Sequence, residues 1–189
     1  RSLWDFPDGT LCYREVLAYH VSQALGWELV PATVLRDGPH GIGSVQLFIE
    51  HDPAINFFTL DDSFSDQLQH FAAFDAVINN ADRKGGHLLL DAHNKLWGID
   101  HGLAFHSAPK LRTVIWEFER QPIPAALLES LAALQNDILC KAAPWIDLMQ
   151  SWLSANEISA LVRRIERLLA TRVFPSPSGH GPSYPWPPV

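Results

Sequence analysis

The residues best suited to chemistry lie in two short stretches. The first, Phe74-Asp75-Ala76-Val77-Ile78-Asn79-Asn80-Ala81-Asp82-Arg83-Lys84-Gly85-Gly86-His87, runs from an apolar helical pattern into an Asp-Arg pair on a loop. The second, Ile99-Asp100-His101-Gly102, places Asp100 eighteen positions after Asp82. Between them, His87–Leu90 and Lys95–Ile99 flank the turn formers Asp91-Ala92-His93-Asn94, a pattern that predicts a hairpin. A hairpin returns the chain to the edge it left. Both carboxylates then share one edge, where one can serve a nucleophile and the other a Mg²⁺ ion on a phosphate group. Two plainer readings stand beside this one. Asp82-Arg83 can be a helix end followed by a surface ion pair. His87, His101 and His106 can join Asp82 and Asp100 in a transition-metal hydrolase site, although no His-Glu-x-x-His spacing accompanies them.

The elements that position these residues follow from periodicity. Apolar residues from Leu11 to Leu25, ended by Gly26, predict an amphipathic helix with Thr10 as its cap and Glu15 one turn in. Residues 1–10 form a turn-rich lead-in with a turn at Asp8-Gly9. Leu29–Leu35 and Ser44–Glu50 read as strands of a hairpin around the turn 36–41. A loop over 51–63, with Ser63 as a cap, leads to a helix over Phe64–Asn80. Residues 101–124 are loop-like, with a short helix near Leu111–Phe118. Helices are expected over Ala125–Leu134, Asn136–Leu153 and Asn156–Arg172, the last capped by Ser154. From Phe174 onward six of the fourteen prolines predict an extended strap.

The two motifs, taken together, resemble those of the phosphoinositide 3/4-kinase superfamily, bacterial members included, and more distantly the HipA-type kinases. In that group an Asp-Arg-x-x-x-Asn loop precedes an Ile-Asp-x-Gly metal motif; here Asp82-Arg83 matches the first and Ile99-Asp100-His101-Gly102 the second, with His87 at the Asn position. The resemblance spans roughly residues 10–172. It implies an α+β, protein-kinase-like fold. An incomplete strand-bearing N-lobe would cover 1–50, a mostly helical C-lobe 51–173, and a Pro-rich tail 174–189. It implies Asp82 as the catalytic carboxylate, Lys84 as a support for the transferred phosphoryl group, and Asp100 with His87 as ligands to Mg²⁺ or Mn²⁺. Glu15 corresponds to the helix Glu that pairs with a strand Lys, and Arg83 to a structural support. Gln46, Phe48, Ile49 and Glu50 correspond to the hinge, with Phe48 or Ile49 lining the adenine pocket. ATP is the implied co-substrate; a protein, a small polyol or a lipid headgroup would supply the acceptor hydroxyl. None of the four lysines, Lys84, Lys95, Lys110 and Lys141, precedes Glu15, so the phosphate-clamping Lys would lie upstream of Arg1, and a chain without it should bind ATP poorly. The start at Arg1, with no initiator Met, fits a trimmed front. The alternative reading is a pseudokinase that binds nucleotide or protein without turnover.

Composition narrows the partners. With 47% hydrophobic residues in 189, a substantial core is available. The net charge of −7 argues against a general nucleic-acid or anionic-membrane binder. Arg163, Arg164 and Arg167 read as a solvated helix face, with an acidic partner or phosphate headgroup as the alternative. Cys12 and Cys140 read as reduced core thiols, and Trp97, Trp116, Trp145 and Trp152 as core. With no signal peptide and no long apolar run, a cytoplasmic, non-membrane protein is expected.

Overall fold

A computed structural model describes residues 6, 7, 9–179 and 181–189. The first helix, α1, spans Leu11–Ala24 and buries Val16, Leu17, Ala18 and Val21. Thr10 stands at its N-cap, but its hydroxyl turns back to the Pro7 carbonyl and does not cap the helix. The Asp8 part of the expected turn lies outside the described residues, while Gly9 takes φ +76°. Strands β1 (Thr33–Gly38) and β2 (Gly41–Gln46) form an antiparallel hairpin. β1 begins four residues later than its β-branched pattern suggests. Pro31 has no N–H to give a ladder, and the N–H groups of Leu29 and Val30 both go to the buried Ser22 hydroxyl, at 2.7 and 3.3 Å. β2 ends at Gln46, opposite Thr33; the Leu47 N–H still reaches the Ala32 carbonyl at 2.8 Å, and residues 47–50 form no further strand.

Helix α2 (Ser65–Ile78) is the central element, with nine buried residues from Leu68 to Ile78. Asp61, rather than Ser63, caps the short helical turn before it, accepting from the Ser63 N–H. Strands β3 (Leu88–Leu90) and β4 (Leu96–Gly98) form the second hairpin, and Gly98 N–H also reaches the Leu29 carbonyl. No helix forms over 111–118, because the N–H groups of Arg112, Thr113 and Val114 are committed to the carbonyls of Asn80, Ser183 and Arg83. α3 spans Ala125–Cys140, α4 Trp145–Trp152 and α5 Ala155–Thr171. The α3 break falls at Lys141, in the left-handed region, not near Gln135, which is an acceptable helix former. One apolar cluster joins α1, α2, α3, α4 and α5. The whole is α+β: a strand-bearing front on a helical back.

Three side-chain expectations change. Cys140 is exposed and Cys12 half-buried, both free, so neither is a core thiol. The four tryptophans are only half-buried; Trp97 lies under the Lys95 ammonium at 3.8 Å. Arg163 and Arg167 are exposed, but Arg164 is not a solvated residue: its Nε donates to the Val77 carbonyl at 2.8 Å.

α5 is tied to α1 by charge. Ser154 and Glu157 form a reciprocal capping box, and Glu157 Oε1 also accepts from Arg14 Nη2 at 2.6 Å. Arg14 is buried and gives its Nη1 to the Ala104 carbonyl. Burial pushes the Glu157 carboxyl up, but the Ser154 and Arg14 hydrogen bonds outweigh it and hold it below its usual value of 4.5. The folded state therefore binds this proton less readily than the unfolded chain. The stabilisation is complete above the unfolded value and is lost as pH falls through the folded one. Thermal melts should show Glu157→Gln less stable than wild type at neutral pH, with the gap closing below about pH 4. A constant gap across that range would refute this account.

Candidate functional site

The site is built around Arg83, which has no exposed side-chain surface. Its guanidinium meets the equally buried Asp75 of α2, Nε to Oδ2 at 3.0 Å and Nη2 to Oδ1 at 2.9 Å. Nη1 donates to the carbonyls of His87 and Ile99 at 3.3 and 3.2 Å, and Nη2 to His101 Nε2 at 2.7 Å. One side chain thus binds the helix, both ends of the hairpin and the residue after Asp100. Asp75 also accepts from Asn80 Nδ2 at 2.9 Å, and Asn80 Oδ1 accepts from the Asp82 N–H at 3.0 Å, which sets the first residue of the loop.

Because an arginine can only donate, His101 Nε2 must accept, and the ring proton sits on Nδ1. Burial, then the charge of Arg83, holds this imidazole neutral. Nδ1 faces Glu15 Oε2 at 3.9 Å, beyond hydrogen-bond range. The other Glu15 oxygen accepts from the Gly102 N–H at 2.8 Å. Glu15 therefore backs the Asp100-His101-Gly102 turn. Its carboxyl is raised, chiefly by burial. Gly98 is required just before this turn: a Cβ there would lie 2.6 Å from the Phe71 ring, inside the core.

Asp82 and Asp100 keep access to solvent. Asp82 pairs with Lys84 Nζ at 3.4 Å. Burial raises its carboxyl, Lys84 opposes that, and the charge of Asp100 raises it further, so the two carboxylates sense each other. Asp100 takes φ +59°, a costly conformation for a non-glycine residue, and its side chain is 58% exposed. His87 Nε2 lies 3.4 Å from Asp100 Oδ2. Burial, then the Arg83 charge, lowers His87 to about 4, so the ring is neutral. A Mg²⁺ or Mn²⁺ ion fits this donor set: Asp100 supplies a hard, exposed oxygen, and neutral His87 supplies a nitrogen that favours Mn²⁺.

The residues expected to form a hinge sit apart from this network. Gln46 gives its amide to Thr33 Oγ1, Phe48 is 80% exposed, Ile49 is half-buried and Glu50 is exposed. The histidine-rich hydrolase site does not assemble. His101 is engaged by Arg83, His106 stacks on Phe6, and among the described residues no group of three His, Cys, Asp or Glu side chains is placed to hold a metal. Two features of the site carry no mark in the sequence. Asp75 looks like an ordinary helix acid, and only the depth of the helix reveals it. The tail reaches the catalytic-type loop: Gly85 N–H donates to the Pro188 carbonyl at 2.7 Å, and Thr113 N–H to that of Ser183 at 3.1 Å. The proline content signals an extended strap, not its destination.

The sequence model of the family described as phosphatidylinositol 3- and 4-kinase matches residues 30–141, which hold Asp75, Asp82, Arg83, His87 and Asp100. The chain belongs to that family. "Protein Rv2133c" of Mycobacterium tuberculosis is 39% identical to it over 222 aligned residues, covering 99% of this chain and 78% of that protein. The crystal structure of the Helicobacter pylori proinflammatory kinase CtkA matches with a TM-score of 0.49 at 13% identity, over 89% of this chain and 82% of that one. The family assignment rests on the match to the family model over residues 30–141. This member of the phosphatidylinositol 3- and 4-kinase family is therefore a kinase-like domain, and among its described residues no helix is long and apolar enough to cross a membrane.

If Arg83–Asp75 organises the site, breaking it leaves a buried charge. Asp75→Asn or Arg83→Met should each cost about 3–5 kcal/mol in urea unfolding. The apolar pair Asp75→Leu with Arg83→Met should recover much of that loss while loosening the loop. Additive losses in the double variant would contradict the pairing.

Proposed function

We propose that this domain moves the γ-phosphate of ATP to a hydroxyl acceptor. The observation that carries the reading is the pair Asp82 and Asp100. They stand on two loops fixed by one buried arginine, both solvent-accessible and electrostatically coupled. Asp82 orients the acceptor hydroxyl and takes its proton, a role favoured by its raised carboxyl. Lys84, beside Asp82, faces the transferred phosphoryl oxygens and stabilises their charge. Asp100 and His87 would hold the divalent cation, which when bound screens phosphate charge. Glu15 steadies the Asp100 turn, and Arg83 holds both loops in register. Phe48 and Ile49 offer apolar surface for the adenine ring, with the backbone of Gln46–Glu50 alongside.

The second reading, a pseudokinase, draws on His87. An imidazole in place of a carboxamide weakens a Mg²⁺ site, and a domain that binds nucleotide without turnover would follow. Phosphate release from ATP, measured with Mg²⁺ and with Mn²⁺ alongside nucleotide-dependent thermal shifts, separates the two.

Asp82→Asn should lower turnover by about 10²–10⁴-fold with little change in nucleotide binding. Asp100→Ala should remove cation-dependent binding. Unchanged turnover in both variants would sink the phosphotransferase reading; binding with no turnover in the wild type would favour the pseudokinase. His87→Asn should shift the preferred cation from Mn²⁺ toward Mg²⁺, and an unaltered preference would show that His87 is not a ligand.

A further inference from the structure

Away from Asp82 and Asp100, α5 lines a cavity of about 680 Å³ together with the end of α2 and the segment 173–178. Cavities that hold small ligands run about 300–1,000 Å³. The lining includes Arg120, Arg163, Arg164 and Arg167, and no Asp or Glu. In a chain of net charge −7 with only ten arginines, four of them on one cavity form a strong local reversal of sign.

Among the described residues, none of the four forms an ion pair, whereas Arg14 and Arg83 each do. Arg164 is pinned by the carbonyls of Val77 and His106, at 2.8 and 3.4 Å, while its Nη2 is buried without any hydrogen-bond partner. Burial and the neighbouring Arg163 lower its guanidinium to about 10, as expected for an unbalanced cation. The carboxylate that offsets this charge, Glu157, is already committed to Arg14. Arg163 and Arg167 lie one helical turn apart and are exposed, free to close on a guest. Arg120 comes from a separate loop, its Nε bound to Ser176 Oγ at 3.0 Å. Guanidinium groups grouped in this way recognise phosphate oxygens, which accept several charge-assisted hydrogen bonds at once.

We propose that this cavity binds a compact, multiply charged phosphate-bearing anion, held by Arg120, Arg163 and Arg167 against the buried charge of Arg164. The site is independent of the phosphotransferase reading, because it uses none of that reading's residues. Its wall includes Asn79, which caps α2 three residues before Asp82, and its rim continues into the tail that reaches Gly85.

The test is calorimetry of the full chain with inorganic pyrophosphate and tripolyphosphate in metal-free buffer. Saturable binding is expected. It should weaken at least about ten-fold in the double variant Arg163→Ala with Arg167→Ala, since each lost charge-assisted contact carries a factor of that order. Both positions are exposed, so the melting temperature should hold; Arg120→Ala, on a different element, repeats the test should the double variant unfold. Asp100→Ala should leave pyrophosphate binding intact. Sedimentation with phosphatidylcholine vesicles carrying one-tenth phosphatidic acid distinguishes a lipid headgroup from a soluble phosphate. Arginine-dependent binding in either arm supports the site. Binding that is absent, indifferent to all three arginines, or lost in Asp100→Ala instead would overturn it.

Discussion

The structure depends on one buried ion pair. Arg83 and Asp75 are both inaccessible to solvent, and an isolated charge in that position would cost several kcal/mol. The cost is offset only because nearly every donor and acceptor of the pair is used. Asp75 receives two guanidinium nitrogens and the Asn80 amide, and Arg83 spends its remaining donors on two carbonyls and one imidazole. The Phe71 ring lies 5.5 Å from the guanidinium carbon and completes the enclosure. A lysine would not serve, since a single ammonium cannot reach a helix carboxylate, two strand ends and a ring nitrogen together.

That arrangement makes the loop and the hairpin one object. The Ile99 carbonyl and the His101 ring are fixed to the same guanidinium, so Asp100 between them has little freedom to leave its left-handed conformation. Strain of about 1–3 kcal/mol at such a residue persists only where its surroundings over-determine it. Glu15 adds a second restraint through the Gly102 N–H. The result is a carboxylate held on a rigid turn with its oxygens in solvent, which suits a group that must meet a ligand without reorganising.

Much of this was legible in the sequence, for reasons that differ by residue. Asp82 and Asp100 stand out because a hairpin pattern between them forces their juxtaposition, and periodicity is a local signal. The long helices were legible for the same reason, apart from the boundary between α3 and α4, since Lys141 carries no sequence mark of a left-handed cap; the short helix expected near Leu111–Phe118 does not form. Asp75 was not legible as a structural residue. Its spacing within α2 resembles that of any amphipathic helix, and its burial follows from neighbours far along the chain, such as Thr113. Arg164 misled in the opposite direction. Three arginines in five positions look like a wet surface, yet the turn of α5 sends the middle one under the end of α2. Thr10 does not cap and Cys140 is not core, because a cap or a core position is decided by what lies opposite, not by residue type.

The three carboxylates near the loop show how one small region assigns different tasks to one functional group. Asp75 is wholly buried, with both oxygens taken up by Arg83 and Asn80, and its part is structural. Asp82 is partly buried; burial outweighs the charges of Lys84 and, more weakly, Arg112, and its carboxyl rises. Asp100 is mostly exposed, with a neutral imidazole as its neighbour. Asp82 combines a raised carboxyl with access to solvent, which supports the general-base role proposed for it. Asp100 has exposed oxygens on a fixed turn, which supports the cation-holding role proposed there. Environments that separate the behaviour of like groups are what acid–base chemistry near neutral pH requires, and here the separation traces back to where Arg83 spends its five donors.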